Sequence, residues 1–271
     1  MEKNLKDLLE FSFIIIDKPT GPTSFGITKY LMNELKLRKT SHMGTLDPMV
    51  TGVLPIALNR ACKLSEFMMH RNKVYVGIMR LHEDVEEEKL NKAIDKHMGK
   101  IVQLPPVRSA VKRAERIREV VKFKILEREG KDILFETEVQ AGTYIRKLIH
   151  DIGLEIGGAH MLELRRTKAG IFTEKEMVNL YDFDSAVSSL PDEKKLRKML
   201  IPAEEAIREA MPVLEVKEGL VKSLLTGKPL MKKDAKKMDE NFAVFCGERF
   251  ICVMRPCDEG DIIARPLFVF N

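Results

Sequence analysis

The sequence predicts an α+β fold: a mixed, mainly antiparallel sheet with helices packed around it, followed by a small β-rich domain. Three observations carry this. Stretches with apolar residues at period two are interspersed with stretches at helical spacing. Two strand-like stretches meet across Glu129-Gly130-Lys131, a hairpin that a purely parallel, doubly wound sheet has no use for. After Pro212 the pattern changes to short strands. The expected organisation is a main domain over 1–211 and a small one over 212–271.

The elements follow in order. Phe11 to Ile16 is a short apolar run bounded by Asp17-Lys18-Pro19-Thr20-Gly21-Pro22, and it reads as a buried strand ending in a turn-rich loop. Ser24 then caps a helix with Ile27, Tyr30, Leu31 and Leu35 on its apolar face. The loop Ser41 to Gly52 leads into the apolar run Val53 to Leu58. Val74, Val76 and Ile78 alternate, which predicts a strand over 72–81. Helical spacing returns over 83–99 through Val85, Leu90, Ile94 and Met98. The hairpin pairs 119–128 with 132–140. A helix over 144–157 ends at Gly157-Gly158, and a strand follows near Leu162 to Arg166. The charged segment 192–211 reads as helical. Strands over 242–246, 249–254 and 262–270 make the last domain.

Composition narrows the class. At 271 residues and 44% hydrophobic the chain can build a proper core. A formal net charge of +5 suits a polyanionic partner. No apolar run approaches the 18 residues of a membrane span. The first residues lack the apolar core and cleavage site of a signal peptide, so a cytosolic protein is expected. Cys246, Cys252 and Cys257 lack the paired spacing of a zinc ribbon, and His82, His150 and His160 show no metal-ligand spacing, so no metal is expected.

Five segments carry candidate chemistry. In Gly44-Thr45-Leu46-Asp47-Pro48 the Asp-Pro step disfavours the α conformation at Asp47, and the glycines admit a tight turn or a close ligand. Asp is also a common turn residue, so this loop alone leaves structure and chemistry open. Gly142-Thr143-Tyr144-Ile145-Arg146 sits at a strand-to-helix junction, where two side chains can reach over the strand end. In Lys73-Val74-Tyr75-Val76 the ring of Tyr75 points opposite to its valine neighbours. Leu164-Arg165-Arg166-Thr167 offers two arginines that a phosphate backbone could use. Pro105 to Arg118 holds five basic residues in eleven and one acid, an imbalance that favours nucleic acid.

Taken together, these segments resemble the TruB branch of RNA pseudouridine synthases over roughly residues 11–175. Asp17-Lys18-Pro19-x-Gly21-x-Thr23-Ser24 is similar to that family's first motif, His42-x-Gly44-Thr45-Leu46-Asp47-Pro48 to its catalytic motif, Lys73-x-Tyr75 to its second, Gly142 to Arg146 to its third, and Leu164-Arg165-Arg166 to its last. Met79-Arg80-Leu81-His82 and Pro105 to Arg113 look more like the archaeal and eukaryotic dyskerin type than the bacterial tRNA type. From Arg113 the chain runs almost directly into the hairpin, leaving no room for the bacterial RNA-gripping insertion.

The resemblance implies an RNA uridine isomerase that breaks the N1–C1′ bond, turns the base and joins C5 to C1′, with neither metal nor external cofactor. Asp47 would be the nucleophile or base, kept ionised and aimed by Arg146 in a pocket that excludes water. Tyr75 would stack on the flipped uracil, Leu164 would pack beneath it, and Tyr144 would remove the C5 proton. His42 would be a wedge or base contact, and Lys18 would orient the catalytic loop or touch phosphate. The implied partners are the target rRNA or tRNA, an H/ACA guide RNA and small H/ACA proteins, with a PUA-like tail on the guide. A stand-alone enzyme acting on the T-loop uridine of tRNA, and a catalytically idle RNA-binding scaffold, are the alternatives.

Overall fold

The structure is a computed structural model of the chain and describes residues 3–104 and 113–271. It divides into two compact units. The larger is Phe13–Met199; the smaller joins the segment up to Ser12 to Leu200–Asn271. The backbone therefore parts at 199/200 rather than 211/212, and the first residues go with the C-terminal unit. The reason is apolar. Leu5, Leu8 and Phe11 are buried, and the Phe11 ring lies 5.8 Å from that of Phe250 and 4.1 Å from that of Phe270.

The larger unit is built on a mixed sheet in the order Met177–Val178, Ser12–Lys18, Thr51–Leu58, Ala159–Ala169, Lys73–Leu81, Asp132–Val139, Arg116–Glu129, Gly99–Gln103. Most neighbours are antiparallel. The pairing of Thr51–Leu58 with Ala159–Ala169 is parallel and short, Thr51 opposite Arg165 and Gly52 opposite Arg166. Gly52 is demanded there twice over. Its φ is +99°, and a Cβ would lie 2.2 Å from the Arg166 carbonyl oxygen. The predicted hairpin forms as Arg116–Glu129 with Asp132–Val139, longer than expected at its first strand.

Several elements differ from expectation. The helix Ser24–Glu34 is capped by Thr23, whose side chain accepts the Gly26 N–H at 2.9 Å. Ser24 is buried and its hydroxyl instead bonds the backbone of Leu46, donating to the carbonyl at 3.1 Å and accepting the N–H at 2.9 Å. The helix foreseen over 83–99 is shorter, Glu87–Asp95. Gly99, at φ +71°, turns the chain into the strand Gly99–Gln103. The helical segment 192–211 is two helices, Lys194–Lys198 and Ala203–Ala210, because Pro202 holds the preceding residue in extended geometry.

The smaller unit has a sheet in the order Val213–Glu215, Phe242–Cys246, Arg249–Glu259, Ile262–Val269, Leu230–Met231. It also contains a helix, Glu218–Leu225, that the reading of short strands alone did not anticipate. Val221 and Leu224 from that helix join Phe242, Val244, Ile251, Met254 and Ile263 in the core. Among the described residues no helix is long and apolar enough to cross a membrane, and no group of three or more His, Cys, Asp or Glu could hold a metal ion.

Candidate active site

The strand Lys73–Leu81 decides which face of the sheet carries chemistry. The alternating Val74, Val76 and Ile78 are only half-buried. The fully buried positions are the other set: Lys73, Tyr75, Gly77, Met79 and Leu81. Tyr75 is thus an inward-facing ring, 9% exposed, not an aromatic on a solvated face. It stands opposite Arg166 on the neighbouring strand, and Gly77 stands opposite Leu164. Gly77 has no room for a side chain: a Cβ would come within 2.9 Å of Leu164 Cδ1 and 2.8 Å of both Phe135 Cζ and the Glu163 carbonyl oxygen. Leu164 and Phe135 close over that gap. Tyr75, Leu164 and Arg166 share one packed face.

Arg166 joins that face to the Asp47 loop, and here the sequence expectation needs correcting. Arg166 is 1% exposed and not available to a phosphate backbone. Its Nε donates to the Val53 carbonyl at 2.8 Å and its terminal nitrogen to the Gly44 carbonyl at 3.0 Å. It therefore grips the loop before and after Asp47. Arg165, its neighbour in sequence, points to the other face and is engaged by Asp17 at 3.0 Å and Glu174 at 2.7 Å. A run of two arginines at period two must send one in and one out.

Lys18 holds the same loop from the other side. It is fully buried and its ammonium donates to the carbonyls of Pro19, Pro48 and Val50 at 2.8, 2.9 and 2.9 Å. Burial lowers its pKa, and the charge of Asp47 opposes that shift. Of the two roles foreseen, orienting the loop is the one its bonds support. Gly21 N–H to Pro48 O at 2.9 Å and Val50 N–H to Asp47 O at 3.0 Å complete the turn.

On this frame Asp47 meets Arg146 at 3.2 Å, the side chains 57% and 62% exposed. Two segments about a hundred residues apart are brought together by this pair. The expected dry pocket is not formed by the described side chains, which leave this pair in contact with water. Arg146 lies in the first turn of the helix Ile145–Leu154, which Tyr144 precedes as N-cap residue. Tyr144 is half-buried. His42 bonds Thr45 Oγ1 at 3.0 Å across the approach to the loop, and burial, with Arg166 nearby, lowers its pKa. Of the basic segment, Pro105 to Lys112 lies outside the described residues.

Two residues beside this site were given no role in the sequence reading, Lys73, quoted only as part of the Lys73-x-Tyr75 motif, and Gln103. Lys73 is 5% exposed and donates to the carbonyls of Met69 and Arg71 at 2.6 and 2.5 Å; burial and the Arg166 charge push it down to about 8. Its place on the Tyr75 side of the strand was the available signal. Gln103 is 2% exposed and bonds Tyr144; an amide at a strand end gave no signal.

The arrangement offers an anchored carboxylate paired with a guanidinium, beside a sheet face carrying an aromatic ring and an aliphatic side chain. The profile of the TruB family pseudouridylate synthase N-terminal domain matches residues 32–145, and that of the tRNA pseudouridylate synthase B C-terminal domain matches 146–208. The probable tRNA pseudouridine synthase B of Methanothermobacter thermautotrophicus is 38% identical over 246 residues, 89% of this chain and 76% of that one. Its namesake in Methanocaldococcus jannaschii is 41% identical over 243 residues, 88% and 72% of the two chains. The solved structure of a Cbf5–Nop10–Gar1 complex matches with a TM-score of 0.89 and 35% identity, covering 99% of this chain and 88% of that one. An H/ACA ribonucleoprotein bound to a substrate RNA containing 2′-deoxyuridine matches with a TM-score of 0.87 and 33% identity, over 99% and 88%. The chain belongs to the TruB family and is an RNA pseudouridine synthase, an isomerase.

Proposed function

We propose that the chain is the catalytic subunit of a guide-directed enzyme that isomerises chosen uridines of rRNA or tRNA, with Asp47 as the attacking carboxylate. The observation that carries the role of Asp47 is its pairing with Arg146 at 3.2 Å on a loop gripped by two buried cations. A carboxylate is a weak nucleophile and gains most from being held in place and kept ionised. Tyr75 supplies the face on which a flipped uracil stacks, worth about 1–3 kcal/mol against the cost of unstacking. Leu164 forms the floor, Tyr144 takes the C5 proton, and His42 contacts the neighbouring nucleotide. Because Asp47 and Arg146 are exposed in the protein alone, the bound RNA itself is what dries them, and that strengthens their interaction at the moment of reaction.

Guide dependence draws its support from the likeness to Cbf5 in complexes with Nop10, Gar1 and RNA. By that likeness the partners here are a guide RNA and small H/ACA proteins, and the smaller unit is a PUA-like guide-binding domain. The place of action is the cytoplasm. The names of the curated relatives favour a second reading, a stand-alone synthase on tRNA.

Tritium release from RNA labelled at uridine C5 separates the two. Release only with guide RNA and partner proteins is the expected result; release on bare tRNA supports the second reading. Asp47→Asn is expected to bind RNA within about threefold of the parent and to lose at least about a thousandfold in turnover. Turnover close to that of the parent would remove Asp47 from the mechanism.

A further inference from the structure

Gln103 closes the strand Gly99–Gln103, and its carboxamide meets both main-chain groups of one residue, which lie in successive peptide units. Oε1 accepts the Tyr144 N–H at 2.9 Å, and Nε2 donates to the Tyr144 carbonyl at 3.2 Å. Gln103 is 2% exposed, so the carboxamide depends on these two bonds. Tyr144 is the N-cap residue of the helix Ile145–Leu154, with φ −91° and ψ 102°, and its side chain makes no capping bond. The Leu148 N–H bonds the same carbonyl from within the helix at 3.0 Å. The peptide that carries Tyr144 is therefore fixed from two directions, by the first helical turn and by Gln103.

Only an amide of this length fits the task. Glutamate has no donor for the carbonyl, lysine has no acceptor for the N–H, and asparagine is one methylene short. The buried carboxamide of Gln103 has its donor and its acceptor both met by this pairing, and the cost of leaving them unmet favours it. Clamped in this way, the backbone of Tyr144 cannot swing about the strand-to-helix junction.

We propose that Gln103 is a positioning residue for the last step of the isomerisation: it holds the peptide of Tyr144 so that the phenolic oxygen meets the C5 hydrogen of the turned base. This rests on the reading of Tyr144 as the base. In that step the C5–H bond breaks and the proton goes to the Tyr144 oxygen. The electron pair left behind forms the C5–C6 double bond while the N1–C6 double bond of the turned base opens onto N1; N1 takes up a proton, and the Tyr144 hydroxyl gives up its original one. Gln103 touches none of these atoms. It acts by keeping the oxygen within reach, where a displacement of about 1 Å can cost about a hundredfold.

The test is single-turnover conversion of RNA carrying the target uridine with hydrogen or deuterium at C5, under whichever condition supports activity. Gln103→Ala is expected to slow conversion about 10- to 100-fold, to leave RNA affinity within about threefold, and to raise the isotope effect above about 2. A smaller folded fraction lowers the amplitude and leaves the isotope effect where it was. Gln103→Glu keeps the volume and the acceptor but loses the donor, and is expected to raise the isotope effect as well. Tyr144→Phe completes the set. If it shows the isotope effect and the Gln103 variants do not, the proposal is overturned alone. If Tyr144→Phe shows no isotope effect, Tyr144 is not the base and both readings fall. Wild-type rates in the Gln103 variants overturn the proposal in either case.

Discussion

Two arginines of this site are put to opposite uses. Arg166 is 1% exposed, pairs with no carboxylate among the described residues, and spends its hydrogen bonds on the carbonyls of Gly44 and Val53. Arg146 is 62% exposed and faces Asp47, the carboxylate proposed to attack. Lys18 and Lys73 side with Arg166: both are buried and both bond backbone carbonyls. The framework of the candidate site is thus made of buried cations holding main chain, and the exposed Asp47–Arg146 pair is carried on it. A buried cation satisfied by carbonyls is fixed in direction and brings no second charge to the site. An exposed ion pair is soft and weakly stabilising, which suits a group that must later let a substrate in.

The contrast predicts that removing the framework damages folding and activity together, and Arg166→Met is the largest case. It takes the guanidinium away from the buried Val53 carbonyl and the half-buried Gly44 carbonyl. That is expected to cost about 2–4 kcal/mol in unfolding free energy, read from the urea midpoint at constant slope. The loop it spans also loses its fix on Asp47, so turnover of the folded fraction should fall about a hundredfold. A variant with parental stability would show that Lys18 alone suffices to hold the loop.

Lys73 sharpens the same point through pH. Its pKa is pushed down to about 8 in the folded chain, first by burial and then by Arg166, from an ordinary 10.5. Below about pH 8 the ammonium is present in both the folded and the unfolded chain, and the cost of burying it is constant. Between pH 8 and 10.5 the unfolded chain keeps the proton that the folded chain has released, so folding is favoured as pH rises. Relative to Lys73→Met, the parent should gain up to about 3 kcal/mol across that window. A flat difference would mean that the carbonyls of Met69 and Arg71 stabilise the ammonium as much as burial opposes it. In an Arg166→Met background the window should narrow, because one of its two causes is gone.

The fold was legible in the sequence where local pattern and global position agree. The hairpin about Gly130, the buried strand before Asp17 and the helix after Tyr144 all announce themselves by spacing and by turn residues. Pattern misled at Lys73–Leu81, where the visible alternation of valines marked the half-buried face and the site occupied the other one. The inner set, Lys73, Tyr75, Gly77, reads as polar and aromatic because it faces Arg166 and Leu164 across the sheet, a pairing no local window contains. Arg165 and Arg166 were legible as a basic pair, but the strand's period sends one to Asp17 and the other into the interior. Ser24 read as a cap and proved to be a tie to Leu46, while Thr23 took the cap. What sequence could not supply was each partner lying far along the chain: Gln103 for Tyr144, and Gly44 and Val53 for Arg166.

The smallest effect on stability, and the most telling, is expected from Arg146→Met. Both members of the Arg146–Asp47 pair are more than half exposed, so their attraction in the protein alone is screened and removal should change the unfolding free energy by no more than about 0.5 kcal/mol. In the proposed complex the same pair is covered by RNA. There the charge on Asp47 loses its solvent, and the guanidinium is what keeps the carboxylate ionised and aimed. Turnover should therefore fall by at least about a hundredfold while thermal unfolding is unchanged. The loss should sit in kcat more than in KM, because the pair contributes where charge develops rather than where RNA is gripped. Arg146→Lys should recover part of it, having the charge without the planar fork. A variant that loses stability in step with activity would place Arg146 with the framework, and the division between buried holders and an exposed reactive pair would not stand.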